Sequence, residues 1–182
     1  MHAMTTKFAA IVLAASALHI PAFAVDSVSV EYGTGNHTDV YRVGAQWNWG
    51  KQWWQSNGTH IGGYWDLNLG QWRGNRYQNI PGNHQNITVA GITPVFRFQK
   101  DNLQGWYGEL GIGANLLSGY YDVGGRRFST RFQFGDHIGI GYVFSNKVDV
   151  GLRYQHFSNA SIDSPNPGVN YTVLRVSYPL GK

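Results

Sequence analysis

The most constraining feature of this sequence is an alternation of apolar and polar residues that continues along almost the whole chain from residue 26. In residues 41–49, for example, every odd-numbered residue is apolar or aromatic, and the residues between them are Arg, Gly, Gln and Asn. Successive side chains of a β-strand point to opposite faces, so this pattern predicts strands with one apolar and one polar face. Eight strands are predicted, at residues 26–33, 39–50, 60–72, 87–98, 106–117, 128–144, 147–159 and 169–180.

Most of the predicted strands contain ten or more residues, whereas strands of globular proteins have about five or six. This greater length suits a strand that crosses a membrane at a tilt. Eight antiparallel strands can close a small barrel that leaves no free edge. Aromatic residues make up 15% of the chain, and many lie near predicted strand ends, as in membrane barrels. The predicted fold is therefore all-β, an eight-stranded antiparallel transmembrane β-barrel of an outer membrane.

A soluble eight-stranded barrel of the lipocalin type would show the same alternation, with its apolar face turned inward around a ligand. Charged residues on the polar faces would face water in that barrel but could pair inside a membrane barrel. These residues are Arg42, Glu109, Asp149, Arg153 and Arg175. Strand length and aromatic content favour the membrane barrel, and a soluble periplasmic binding barrel remains as an alternative.

The first 24 residues have the pattern of a secretory signal peptide. Lys7 precedes an apolar stretch from residue 8 to residue 18, and the segment ends in Ala22-Phe23-Ala24. A cation, a short apolar core and small residues at the cleavage site are typical of such peptides. We therefore predict a signal peptide at residues 1–24 and a single barrel domain at residues 25–182.

Composition and motif spacing exclude several classes of function. The chain has no Cys, which excludes disulfides, thiolate metal sites and a cysteine nucleophile. Its five histidines beyond the signal peptide lack metal-ligand spacing, and no dinucleotide, phosphate-loop or G-x-S-x-G motif occurs. The net charge of +4 is scattered along the chain, which argues against nucleic-acid binding. We predict no metal and no cofactor.

Two of the predicted outer loops carry arginines. With both termini in the periplasm, the loops after odd strands face outside, at residues 34–38, 73–86, 118–127 and 160–168. The second and third contain Arg73, Arg76, Arg126 and Arg127. These side chains could bind lipid phosphates bidentately, and ordinary solvated loop charge is the equal alternative.

One pair of residues stands out at the end of the seventh strand. His156 and Ser158 share the apolar, lipid-facing parity of that strand. Polar side chains in such a place are costly unless they are paired or used. Residues i and i+2 lie on one face, about 6–7 Å apart, and a histidine beside a serine can activate the hydroxyl as a nucleophile.

The sequence around this pair resembles the lipid A 3-O-deacylase family (PagL) of Gram-negative outer membranes. The specific part is His156-Phe157-Ser158-Asn159-Ala160, followed by Pro165-Asn166-x-Gly168. The resemblance implies an eight-stranded barrel with a hydrolase site on its outer wall, which removes the ester-linked 3-hydroxyacyl chain at position 3 of lipid A. It also implies Ser158 as nucleophile, His156 as general base, and Asn159 and Asn166 as oxyanion-binding or loop-ordering groups.

One position departs from the family pattern. Where the family has a glutamate that orients the histidine, this chain has Asn170, which can accept a hydrogen bond but carries no charge. Asp136 is a candidate alternative acid, because a three-residue turn at 145–147 would place it opposite His156 on the same face. Asp163 in the outer loop is a weaker candidate, and an interfacial role for Asp136 is equally open.

The function expected from these residues is that of an outer-membrane serine esterase acting on lipid A, with lipopolysaccharide as its partner. The alternative is a small non-enzymatic outer-membrane barrel that serves as an adhesin or envelope stabiliser. The oligomeric state is left open, with a homodimer as one option.

Overall fold

A computed structural model describes residues 24–181 of the chain, and the predicted signal peptide lies outside this range except for Ala24. The described residues form eleven strands. The eight long ones are β1 (Ser27–Gly35), β2 (Thr38–Asn48), β4 (Thr59–Gly74), β5 (Gln85–Lys100), β6 (Gly105–Leu117), β9 (Phe132–Val143), β10 (Asp149–Ser158) and β11 (Val169–Pro179). Three short ones are β3 (Trp53–Ser56), β7 (Asp122–Val123) and β8 (Arg126–Arg127).

The eight long strands close into an antiparallel barrel. Each pairs with the next long strand along the chain, and β1 pairs with β11 to complete the circle. The short β3 extends one end of β4, while β7 and β8 form a separate hairpin between β6 and β9. Both described chain ends lie at one end of the barrel, called here the termini end; the opposite end is the loop end. The fold predicted from the alternation is confirmed.

The apolar faces of the strands point away from the barrel axis. Val30, Ile112 and Ile138 are 58%, 62% and 67% exposed, whereas polar residues such as Gln46 and Gln133 are fully buried inside. A soluble lipocalin-type barrel needs the opposite arrangement, so that alternative is wrong. No helix within residues 24–181 has the length and apolarity needed to span a bilayer.

Aromatic pairs bracket the apolar band of the outer wall. Trp106 and Tyr142 contact each other edge-to-face near the termini end, with ring centroids 5.3 Å apart. Tyr32 and Tyr41 lie 5.4 Å apart near the loop end. Such rings at both levels are typical of the two interfaces of a membrane barrel.

Charged side chains fill the middle of the barrel interior and pair there. The network contains the acids Glu31, Glu109 and Asp149 and the arginines Arg42, Arg97, Arg153 and Arg175. Arg153 donates to Glu109 at 2.6 Å and to Glu31 at 3.0 Å, although its own side chain is almost fully buried. Buried charges are tolerated only when they are paired in this way, and the predicted pairing inside the barrel is confirmed.

Removing one acid from this network should destabilise the barrel strongly. Glu109 accepts hydrogen bonds from both Arg97 and Arg153. Glu109→Gln preserves the shape but leaves two buried guanidinium groups poorly compensated, so we expect a loss of about 3–5 kcal/mol. The effect is measured as the midpoint temperature, at which half of the protein changes from the gel mobility of the folded barrel to that of the unfolded chain. Asp163→Asn, at an exposed loop position, is the control that should leave the midpoint in place.

Aromatic side chains fill the interior nearer the loop end. Trp72 packs against Phe157 and Tyr171, with centroid distances of 4.8 and 5.2 Å. Phe128 reaches this cluster through Tyr121, at 5.1 Å. Phe128 turns inward to join this cluster and is buried there, so the strand β9 begins at Phe132 rather than at residue 128 as predicted.

Two short elements escaped prediction. Residues 51–59, between the second and third predicted strands, contain β3, whose pairing with β4 is irregular, and Trp54 within it has a φ of +50°. The β7–β8 hairpin has only two residues per strand. Neither element is long enough to show an alternating pattern.

Candidate active site

Strand β10 carries the candidate site at its loop end. Phe157 points into the barrel and packs on Trp72, so its neighbours His156 and Ser158 point outward. Both of these side chains are half-buried on the outer wall. The aromatic anchor on the inside thus fixes the strand at the point where the two polar side chains leave it.

His156 stands between candidate partners on the two neighbouring strands. Its Cα partners are Asp136 on β9 and Asn170 on β11, which confirms the register predicted from the turn at 145–147. The hydrogen bond goes to Asn170: His156 Nδ1 lies 2.6 Å from Asn170 Oδ1. An amide oxygen accepts, so Nδ1 carries the proton and Nε2 is the ring nitrogen with a free lone pair.

Asp136 is half-buried beside His156. Its backbone carbonyl accepts a hydrogen bond from the Gln155 side chain at 3.2 Å, but its carboxylate forms no hydrogen bond to His156. Asp163 is exposed in the loop, where its carboxylate accepts from the Ser164 backbone at 2.8 Å. Among the three candidates for orienting the histidine, Asn170 alone forms a hydrogen bond with the ring.

Gly168 packs directly against the histidine ring. A Cβ atom built at this position would lie 3.1 Å from His156 Nε2 and only 2.6 Å from Cε1, and the shorter distance is closer than real Cβ atoms approach. Gly168 also has a φ of +62°, in the left-handed region that other residues enter only at a cost. Only glycine therefore fits here without displacing the ring.

The loop at residues 159–168, between β10 and β11, is ordered by two asparagines. The Asn159 backbone N–H donates to Asn166 Oδ1 at 3.0 Å. The Asn159 side chain is fully buried and donates to Ser129 Oγ at 3.0 Å and to the Asp163 carbonyl at 2.9 Å. Two roles were predicted for Asn159, and its contacts match loop ordering. Its backbone N–H is already bonded to Asn166 and cannot also hold an oxyanion.

The backbone directly after Ser158 is strained. Ala160 and Ser161 have φ values of +51° and +63°, and a left-handed conformation costs a non-glycine residue roughly 1 kcal/mol or more. The turn is closed by a hydrogen bond from Ile162 N to the Asn159 carbonyl, at 3.1 Å. Strain of this kind concentrates at functional sites.

The four arginines predicted to bind phosphate do not form one cluster. Arg73 lies on the outer wall of β4, across the barrel from β10, above the ring of Tyr41 at 5.4 Å. Arg76 lies in the β4–β5 loop, and Arg127 is exposed on β8. Arg126 alone of the four forms hydrogen bonds with the loop beside His156. Its Nη1 donates to the carbonyls of Pro167 and Gly168, at 2.8 and 2.9 Å.

No group of three or more His, Asp and Glu side chains in the described range could hold a metal ion. The site offers a hydroxyl, an imidazole oriented by an amide, and nearby N–H donors. This set of groups suits nucleophilic attack on an ester. Fold and site together define a class of protein: an outer-membrane β-barrel enzyme whose candidate catalytic groups lie on its outer wall.

Comparison with known proteins identifies the family. The family described as lipid A 3-O-deacylase (PagL) matches residues 39–179. A relative from Pseudomonas aeruginosa named Lipid A deacylase PagL is 33% identical over 172 residues, covering 94% of this chain and 96% of its own. A relative of the same name from Bordetella bronchiseptica is 35% identical over 158 residues, covering 83% and 82%.

A solved structure agrees with the sequence comparison. The crystal structure of the outer membrane enzyme PagL matches with a TM-score of 0.71 at 30% identity, covering 85% of this chain and 99% of that one. The chain belongs to the lipid A 3-O-deacylase family. It is an ester hydrolase of the outer membrane, as predicted, and the alternative of a non-enzymatic barrel is wrong.

Sequence reasoning missed two contributors to the site. The contact of Arg126 depends on how residues 118–131 fold over the barrel mouth, which no local pattern reveals. The inward anchor at Phe157 was implicit in the alternation, since it lies between two outward residues, but its partner Trp72 is far away in sequence.

Proposed function

We propose that this enzyme hydrolyses the ester that joins the 3-hydroxyacyl chain to position 3 of lipid A, with Ser158 as nucleophile and His156 as general base. The single observation that carries the proposal is the hydrogen bond between His156 Nδ1 and Asn170 Oδ1. It directs the basic Nε2 away from Asn170, on the face of β10 that His156 shares with Ser158.

The position of the site supports a membrane-embedded lipid as substrate. His156 and Ser158 lie on the outer wall at the loop end, next to the aromatic pair Phe132–Phe134. Apolar side chains continue along the wall below them, including the exposed Ile138 and Tyr154. An acyl chain can therefore lie against the barrel while its ester reaches Ser158. Lipid A, an acylated lipid of the outer leaflet, has this shape, and both relatives are named for it.

The reaction proceeds in two halves. Ser158 Oγ attacks the ester carbonyl carbon while His156 Nε2 takes the hydroxyl proton. Collapse of the tetrahedral intermediate breaks the bond to the sugar oxygen, which leaves with that proton and gives the alcohol. Water then attacks the acyl-serine, again with His156 as base, and releases a 3-hydroxy fatty acid and free Ser158.

The negative charge on the carbonyl oxygen needs donors fixed before the reaction. Because Asn166 Oδ1 is held by the Asn159 N–H, its Nδ2 amide is oriented as one such donor. The backbone N–H groups of Ala160 and Ser161, in the strained turn after Ser158, are the others. The strain in this turn is the cost of presenting them.

Mass spectrometry of lipid A tests the reaction directly. Lipid A from cells that express the chain should be lighter than lipid A from cells without it, by the mass of one 3-hydroxyacyl group. Fragmentation of the product in the mass spectrometer should show that the missing chain was attached at position 3. An unchanged lipid A mass would refute the substrate, and loss of a chain from another position would refute the site of cleavage.

A further inference from the structure

Arg126 occupies a position that its predicted role as a phosphate ligand does not explain. It lies on the short β7–β8 hairpin that folds over the barrel mouth, and one nitrogen of its guanidinium, Nη1, donates to two carbonyls. These belong to Pro167 and Gly168, the last residues of loop 159–168 before β11. Arg126 therefore contacts the loop where it passes the candidate base.

The second of these carbonyls belongs to the glycine that packs on His156. With a hypothetical Cβ only 2.6 Å from Cε1 and 3.1 Å from Nε2, Gly168 leaves no gap against the ring. Asn170 holds the His156 ring through a hydrogen bond at Nδ1. Gly168 limits the rotation of the ring about its Cβ–Cγ bond. A small outward shift of Gly168 would open space in which the His156 ring could rotate about its Cβ–Cγ bond.

We propose that Arg126 is a positioning residue, which holds Gly168 against His156 and so fixes the ring in the orientation in which it accepts the proton of Ser158. This inference rests on the serine mechanism proposed above. It gives Arg126 a role different from that of Arg73, Arg76 and Arg127, none of which forms a hydrogen bond with loop 159–168 in the described structure.

Arg126 supplies the charged part of a larger attachment between loops 118–131 and 159–168. The other hydrogen bonds between them are neutral: Ser129 N to the Pro165 carbonyl at 3.2 Å, and Asn159 Nδ2 to Ser129 Oγ at 3.0 Å. Hydrogen bonds with an ionised donor are roughly twice as strong as neutral ones. The hairpin that carries Arg126 is itself fixed to the far side of the barrel, through Gly124 N and the Arg76 carbonyl at 3.0 Å.

The test uses two substrates, lipid A and a short-chain nitrophenyl ester that has no phosphate. Arg126→Gln should lower kcat on both by about 10- to 100-fold, since misplacing a catalytic group by roughly 1 Å costs that much. KM for the nitrophenyl ester should stay within about twofold, because the variant does not alter ester binding. Arg126→Lys retains a cation, and its kcat should lie between those of the wild type and Arg126→Gln.

A matched control is Arg131→Gln, which removes an exposed arginine of the same loop and should leave kcat unchanged. Gly168→Ala provides a second route to the same displacement and should reproduce the loss of kcat with Arg126 intact. Folding of each variant is checked by heat-dependent gel migration, and rates are compared at equal folded amounts.

Two results would overturn the proposal. If Arg126→Gln and Arg127→Gln both raise KM for lipid A and neither affects the nitrophenyl ester, Arg126 is a phosphate ligand. If Arg126→Gln leaves kcat unchanged on both substrates while Gly168→Ala lowers it, the loop is held without Arg126. Failure of the serine mechanism itself would appear separately, as full activity of Ser158→Ala.

Discussion

Replacing Ser158 with alanine should reduce deacylation by a factor on the order of 10⁴ to 10⁶, while the barrel folds and inserts normally. The substitution removes only the hydroxyl group, which lies at the end of β10 on the outer wall and contributes nothing to the interior packing. His156→Asn should cause a similar loss. The rates are measured on purified folded enzyme by release of the hydroxy fatty acid.

The double variant sharpens this test. Nucleophile and base act as one unit, so removing both should cost little more than removing either. Ser164→Ala, which deletes an exposed hydroxyl from the neighbouring loop, should retain full activity. Substantial activity in Ser158→Ala would exclude the serine mechanism, whatever the effect at His156.

Asn170→Glu should raise kcat by about tenfold, because a carboxylate stabilises the imidazolium that forms as His156 takes the proton. A hydrogen bond to a charged group is stronger than a neutral one by about 1–2 kcal/mol, and 1.36 kcal/mol corresponds to a tenfold change in rate. Asn170→Gln has the same length as the glutamate without its charge and is the matched control. Asn170→Ala should lower kcat by about 10- to 100-fold through loss of ring orientation.

Asp136→Asn decides between the two candidate partners of the histidine. Since the Asp136 carboxylate forms no hydrogen bond to His156, we expect kcat to change by no more than about threefold. A loss larger than that of Asn170→Ala would instead make Asp136 the residue that supports the imidazolium. Equal, small effects at both positions would indicate a Ser–His pair that works without a third member.

Much of the fold could be predicted because alternation is a local property. All the long strands except β9 were placed to within about two residues at each end, since outward apolar and inward polar positions repeat at every second residue. The register between β9 and β10 also followed from sequence, because one short turn fixes all later pairs of an antiparallel ladder.

The details of the site depend on contacts that the alternation cannot reveal. Register placed both Asp136 and Asn170 beside His156, but the choice between them depends on side-chain orientation across two different strand pairs. The hydrogen bond from the Asn159 N–H to Asn166 and the hydrogen bonds from Arg126 to loop 159–168 both depend on irregular loops. In these loops, residues far apart in sequence meet over the barrel mouth.

Because His156 and Ser158 point outward, the proposed active site has protein on one side and the membrane on the other. In the proposed reaction the ester arrives by lateral diffusion within a leaflet, so its surface density, rather than its bulk concentration, governs how often it meets Ser158. Both products are amphiphiles and can leave by the same sideways route. The barrel interior, filled with paired charges and aromatic rings, serves as a rigid support, while the bilayer itself acts as the substrate reservoir.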